Sequence, residues 1–216
     1  MAENSSALKL LRDSGLKFDP AGDVLSAVSD GRHQIVVFDA TVLIYIIDEN
    51  ASPPNDPATG QPVRNCKERL DHLLFTLQKE NAKIIIPTPA LGEVLVKAQQ
   101  AAPELLRDLT SSKHFRVAAF DAMAAVEYAA MHAARLGKPT TNRTKAKFDE
   151  QIVAIARVEN ATIIYSDDGG IAKLARPRMQ VLGIASLPLP PAKTQGGMFE
   201  EEQEPYSSNP GFGRWG

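Results

Sequence analysis

The feature of this chain that leaves the least choice of fold is a set of short, uninterrupted apolar runs built largely from β-branched residues. Ile35-Val36-Val37-Phe38, Ile84-Ile85-Ile86 and Ile163-Ile164-Tyr165 put apolar side chains on both parities. A strand with one wet face alternates; one covered on both faces reads as a continuous apolar run, the habit of parallel sheets clothed by helices. Segments 35–38, 83–87, 115–120 and 161–165 are therefore expected as buried strands, with 180–184 as an edge strand.

Between these runs the spacing turns helical. Leu70, Leu73, Leu74 and Leu77 form one stripe and predict a helix over 64–81. Further helices are expected over 41–48, after Thr88 as N-cap with Pro89 as first helical residue, and over 103–112. An alanine-rich helix should run from an Asp121 N-cap to residue 136 and stop at Gly137-Lys138-Pro139. A polar, basic linker to Lys145 leads into a helix of about four turns ending near Asn160, and 171–175 is a last short helix. Four or five buried strands alternating with helices predict an α/β chain, a three-layer α/β/α sandwich around a mainly parallel central sheet.

The domain that this pattern outlines spans 35–186. Residues 1–34 read as an N-terminal extension packed on it. Residues 187–216 read as a disordered tail rich in Pro, Gly and Glu. The loop from Asn50 through Pro53, Pro54 and Pro57 is long for a compact domain and suggests a lid or binding loop. The formal net charge of −2 is accounted for by Glu200, Glu201, Glu202 and Glu204 against Lys193 and Arg214 in the tail. Affinity for a polyanion must then come from local clusters of Lys and Arg. No apolar run approaches the roughly 20 residues that cross a bilayer, and a single cysteine, Cys66, forms no internal disulfide. A cytoplasmic protein without membrane contact is the expectation. His33, His72, His114 and His132 are scattered and read as surface or packing residues.

Two of the apolar runs end on acid, 35–38 at Asp39 and 161–165 at Ser166-Asp167-Asp168. The carboxyl ends of parallel strands are where open sheets place their ligand crevices. Parallel neighbours would bring Asp39 and Asp167 within one or two strand spacings of about 4.8 Å. Asp149 lies at the border of a helix's buried stripe, one turn from the expected helix start, and Glu93 lies among Leu91, Val94 and Leu95. A carboxylate held partly out of water needs a cation or several donors to remain ionised. Mg²⁺ and Mn²⁺ prefer such oxygens at about 2.1 Å, and a pair of them about 4 Å apart can activate water against a phosphodiester. Each acid has a plainer reading: Asp39 as an N-cap, Glu93 as a surface pair with Lys97, Asp149 as a helix-dipole partner, 167–170 as a turn. Lys138, Arg143, Lys145 and Lys147 lead without an intervening acid into Asp149, with Arg157 two turns beyond. They read as a solvated linker or as a phosphate-contacting edge.

Phe-Asp-Ala-Thr-Val-Leu at 38–43, Pro-Thr-Pro-Ala-Leu-Gly-Glu-Val at 87–94, Phe-Asp-Glu-Gln-Ile-Val-Ala-Ile-Ala at 148–156 and Thr-Ile-Ile-Tyr-Ser-Asp-Asp at 162–168 resemble, in order and spacing, the PIN-domain family. The resemblance covers about residues 35–184. It implies a Mg²⁺- or Mn²⁺-dependent ribonuclease acting on single-stranded or structured RNA, of a kind in which many members are toxins held by an antitoxin-like protein, and many form homodimers. On it, Asp39, Glu93, Asp149 and Asp167 are the catalytic and metal-binding acids, with Asp168 the alternative to Asp167 and Thr41 the hydroxyl beside Asp39. The chain departs from the pattern at Tyr165, where the family commonly has Thr, leaving Ser166 as the nearby hydroxyl. The rival readings are an inactive PIN-like scaffold that binds RNA or a protein, and a phosphoryl-transfer enzyme of receiver or haloacid-dehalogenase type. The dehalogenase pattern wants a second Asp two residues after the first, where this chain has Thr41.

Overall fold

Consecutive residues of the central strand, Val36 and Val37, are both fully buried. Neighbouring strand residues point to opposite faces, so both faces of the sheet are covered, as the unbroken apolar runs require. The structure, a computed structural model, describes residues 34–48, 50–133 and 143–191, the first three residues of the last stretch by their backbone alone. The readings of the N-terminal extension, of Lys138 and of nearly all of the tail lie outside the described residues.

Five strands form one wholly parallel sheet: β1 (Ile35–Phe38), β2 (Lys83–Pro87), β3 (Phe115–Ala118), β4 (Ile163–Tyr165) and β5 (Gln180–Leu182), in the order β3-β2-β1-β4-β5. The helices are α1 (Ala40–Ile47), α2 (Cys66–Lys79), α3 (Thr88–Ala98), α4 (Ala102–Ser111), α5 (Ala122–Ala133), α6 (Arg143–Val158) and α7 (Gly169–Ala175), with 3₁₀ turns at Gln99–Ala101 and Ile184–Ser186. The chain steps outward from β1 to β3, then returns to the other side of β1 for β4 and β5. Phe38, Ile85, Ile86, Ile155 and Ile164 fill the core between the layers, each contributing about 1.5–3 kcal/mol by burial.

Local differences from the sequence reading have physical causes. Thr88 is the first helical residue and Pro87 holds the N-cap position; the Thr88 hydroxyl instead accepts the Phe120 amide at 3.2 Å, tying the loop after β3 to α3. Asp121 does cap, accepting the Ala124 amide at 2.9 Å. The basic segment expected as a linker is already helical from Arg143, since Lys, Ala and Lys are good helix formers. Leu187, read as the start of the tail, is buried, and the Arg69 guanidinium donates to its carbonyl. The packed domain thus reaches past 186. Among the described residues no helix is long and apolar enough to cross a membrane.

Candidate active site

The strand order makes β1 and β4 neighbours although the chain places β2 and β3 between them. That is the switch point of an open parallel sheet, where the connections leave in opposite directions and a crevice opens at the carboxyl ends. Phe38 and Tyr165 are register partners, so Asp39 and Ser166 leave the sheet side by side. The Asp39 amide donates to the Tyr165 carbonyl at 3.1 Å. Asp39 occupies the N-cap position of α1 but makes no capping hydrogen bond. Its Oδ2 instead accepts from the Ser166 hydroxyl at 2.8 Å and the Thr41 hydroxyl at 3.1 Å. Those two hydroxyls also accept from the next acids' backbone: Asp168 donates to Ser166 Oγ at 3.0 Å and Asp167 to Thr41 Oγ1 at 3.4 Å.

Asp167 Oδ1 accepts the Ile184 amide at 2.9 Å, while its Oδ2 is buried without a hydrogen-bond partner. Asp168 takes the plainer role, capping α7 by accepting the Gly170 amide at 2.6 Å. Two glycines let the backbone close around these acids. A Cβ at Gly170 would stand 2.5 Å from Asp149 Oδ2 and 2.9 Å from Asp168 Oδ1, and one at Gly183 would collide with Asp167 Oδ1.

Burial pushes the Asp39 carboxyl above the usual carboxylate range; the Ser166 hydroxyl, the Ala40 amide and the Thr41 hydroxyl pull it back, and the Asp168 charge adds to the rise. Asp167 is raised by burial too, opposed by the Ile184 amide and reinforced by Asp39. Among the described residues, what offsets the cost of these charges is a set of hydroxyls and amides.

Of the sequence-derived acids, Asp39, Asp167 and Asp168 come together, and Asp149 approaches Asp168 across Gly170. Asp149 is buried, as its border position suggests, but it sits past the first turn of α6 because that helix begins earlier than expected. Glu93, expected partly out of water, is exposed on α3. Its surface neighbour Lys97 reaches Asp48 at 3.5 Å. Among the described residues no three His, Cys, Asp or Glu side chains converge closely enough to hold one ion. A hard cation fits the Asp39–Asp167 pair in donor chemistry, two carboxylates with one orphaned oxygen, and the pair does not extend to the whole quartet.

The Tyr165 departure resolves by orientation. Its ring meets Phe38 edge-on at 5.4 Å inside the core, and burial, with the Glu80 charge, pushes its phenol up to about 12. Tyr165 is thus a core residue, and Ser166 presents the hydroxyl to Asp39. Arg157, read as part of a phosphate-contacting edge, is turned inward. Its guanidinium donates to Glu127 at 2.7 Å and to the Leu174 carbonyl at 3.3 Å, bracing α5, α6 and α7. The physical reason is the α5–α6 seam, which leaves Glu127 only partly exposed and in need of a cation. Lys147 is exposed on α6; Arg143 and Lys145 are helical in backbone.

The sequence reading passed over Glu150. It is almost wholly buried on α6, 3.6 Å from His132 Nδ1 and hydrogen-bonded by the Tyr128 phenol. The spacing of Tyr128 and His132, one turn apart on α5, was its only trace in the sequence.

No family model matches this chain, and no curated protein matches it in sequence. It is similar in structure to VapBC2 from Rickettsia felis bound to a DNA fragment from their promoter, at 14% identity over 69% of this chain and 98% of that one, TM-score 0.46. It is also similar to FitAcB from Neisseria gonorrhoeae (20% identity, 70% and 99% covered, TM-score 0.46) and to DNA-bound VapBC from Salmonella typhimurium (16% identity, 70% and 98% covered, TM-score 0.43).

Proposed function

We propose that this chain is a Mg²⁺- or Mn²⁺-dependent endoribonuclease cleaving single-stranded RNA. The observation that carries the reading is the Asp39–Asp167 pair at a sheet switch point: Asp39 is buried, and Asp167, half-buried, keeps a buried carboxylate oxygen without a hydrogen-bond partner. Burying like charges together is costly unless a cation arrives. When bound there, a divalent ion supplies Lewis-acid chemistry and a water of lowered pKa. Asp39 and Asp167 would hold it, and Thr41 and Ser166 keep Asp39 Oδ2 oriented through their hydroxyls. Asp149 and Glu93 complete the set that the PIN-domain resemblance implies. That resemblance also supports an antitoxin-like protein partner and a homodimer.

A second reading, a PIN-like scaffold that binds RNA or a protein without cutting, is favoured by the absence of three convergent acids among the described residues. Labelled single-stranded RNA incubated with Mn²⁺, Mg²⁺ or EDTA, beside an Asp39→Asn variant, separates the two. Metal-dependent cleavage lost in the variant supports the nuclease. Absence of cleavage by folded protein, with no Mn²⁺-dependent rise in Tm, sinks it in favour of the scaffold.

A further inference from the structure

Helix α5 is amphipathic in the unexpected sense. Its polar side chains are taken up by the seam with α6: Glu127 meets Arg157 at 2.7 Å, His132 stands 3.6 Å from Glu150, and the Tyr128 phenol donates to Glu150. The outward face is left to apolar residues. Met123 and Val126 are 63% and 67% exposed, and apart from His132 the other exposed positions of the helix are alanines. Met123, Val126 and Ala130 follow at i, i+3 and i+7 and so form one stripe. A helix on a free surface turns its polar residues to water; a continuous apolar face marks a surface that something covers.

The same chain supplies an occupant. Residues 1–33 carry Leu16, Phe18, Val24, Leu25 and Val28 among other apolar residues, and a stretch this short does not build a core of its own. We propose that the segment 24–28 lies along the outward face of α5, burying Val24, Leu25 and Val28 against Met123 and Val126.

The place where the extension ends gives it the reach. The Gln34 carbonyl accepts the Lys83 amide at 2.8 Å, and the Ile35 carbonyl accepts the Thr162 amide at 3.1 Å. Thr162 stands five residues past Arg157, whose guanidinium holds α5 through Glu127. That path is on the order of 20 Å, and Val28 and Val24, six and ten residues before Gln34, reach about 20–33 Å in extended chain. Tethering also gives the segment an effective concentration of about millimolar, which a second copy of the chain in dilute solution does not match. The contact touches none of the acids at the β1–β4 edge, so it stands or falls apart from the ribonuclease reading.

The test uses the full chain. In a Cys66→Ser background, Leu25→Cys is paired with Val126→Cys or with Phe75→Cys, and each protein is treated with a short bismaleimide and read by peptide mass. Phe75 of α2, 48% exposed, is the control position. Position 25 should link to 126 within one chain, several times faster than to 75. In the otherwise native chain, Val126→Lys should lower the melting temperature by about 2–4 °C and speed tryptic cleavage after Lys17 and Arg32, whereas a bare surface position would tolerate the change with neither effect. Absence of any link, or a link formed mainly to position 75, overturns the assignment. Links between chains at doubled mass overturn it in favour of a second copy, and Val126→Lys with unchanged melting and proteolysis overturns it in favour of a bare face.

Discussion

Two acidic regions of this domain are built on opposite terms. Along the α5–α6–α7 seam, Glu127 receives Arg157 at 2.7 Å and has Arg178 at 3.7 Å, so its charge is met where the side chain leaves water. At the β1–β4 edge the Asp39 charge acts on Asp167, and among the described residues the two carboxylates receive hydroxyl and amide donors. The seam sets charge against charge and braces three helices, although Arg157 Nε itself is buried without a hydrogen-bond partner. The edge is more costly in the folded protein, because burial and like charge raise both carboxyls, which is what the proposed function draws on.

The sharpest break in this comparison is Asp39→Asn. Metal-dependent cleavage should fall to background, measured on labelled RNA, while the same substitution raises the melting temperature in EDTA by removing a buried charge. A seam acid should behave in the opposite way. Arg157→Ala leaves Glu127 with only the exposed Arg178 at 3.7 Å and should cost about 1–3 kcal/mol in urea unfolding, with cleavage per folded molecule retained. Gly170→Ala drives a methyl into the Asp149 and Asp168 carboxylates. It should cost a similar or smaller amount, about 1–3 kcal/mol, and unlike Arg157→Ala it should also lower activity per folded molecule.

The pH dependence sharpens the contrast more gently. Asp39 and Asp167 have folded pKa values above their unfolded ones, so the folded state holds protons more tightly. Stability in EDTA should therefore fall as pH rises from the ordinary carboxylate value through the raised one. Asp39→Asn should flatten that fall, and a saturating divalent ion should reverse it, as followed by melting temperature between pH 4 and 7. The smallest effect concerns Tyr165, whose phenol is pushed up to about 12. Its contribution is intact below the unfolded value of 10 and declines as pH rises toward the folded one. Tyr165→Phe should remove that alkaline decline and leave the acid limb unchanged.

Much of this architecture was legible in the sequence because its signals are local. Unbroken apolar runs at 35–38 and 83–87 are read from a few residues, and so is the leucine stripe of α2, since burial on two faces or on one helical face dictates residue type directly. The strand-end position of Asp39 and Asp167 followed from the same runs. Their adjacency did not, because strand order is set by how crossovers pack and not by any residue near the acids.

Other assignments needed the folded chain. Arg157 has the same sequence signature whether it meets a phosphate or Glu127, a residue 30 positions away; only the α5–α6 packing decides. The depth of Asp149 depended on where α6 begins, and the burial of Glu150 on which face of α6 meets Tyr128 and His132. What the sequence determined by itself was the class of fold and the presence of strand-end carboxylates, both consequences of short-range burial patterns. Which acids meet a cation and which meet hydroxyls and amides was decided by tertiary structure alone, because electrostatic balance depends on distances that only packing sets.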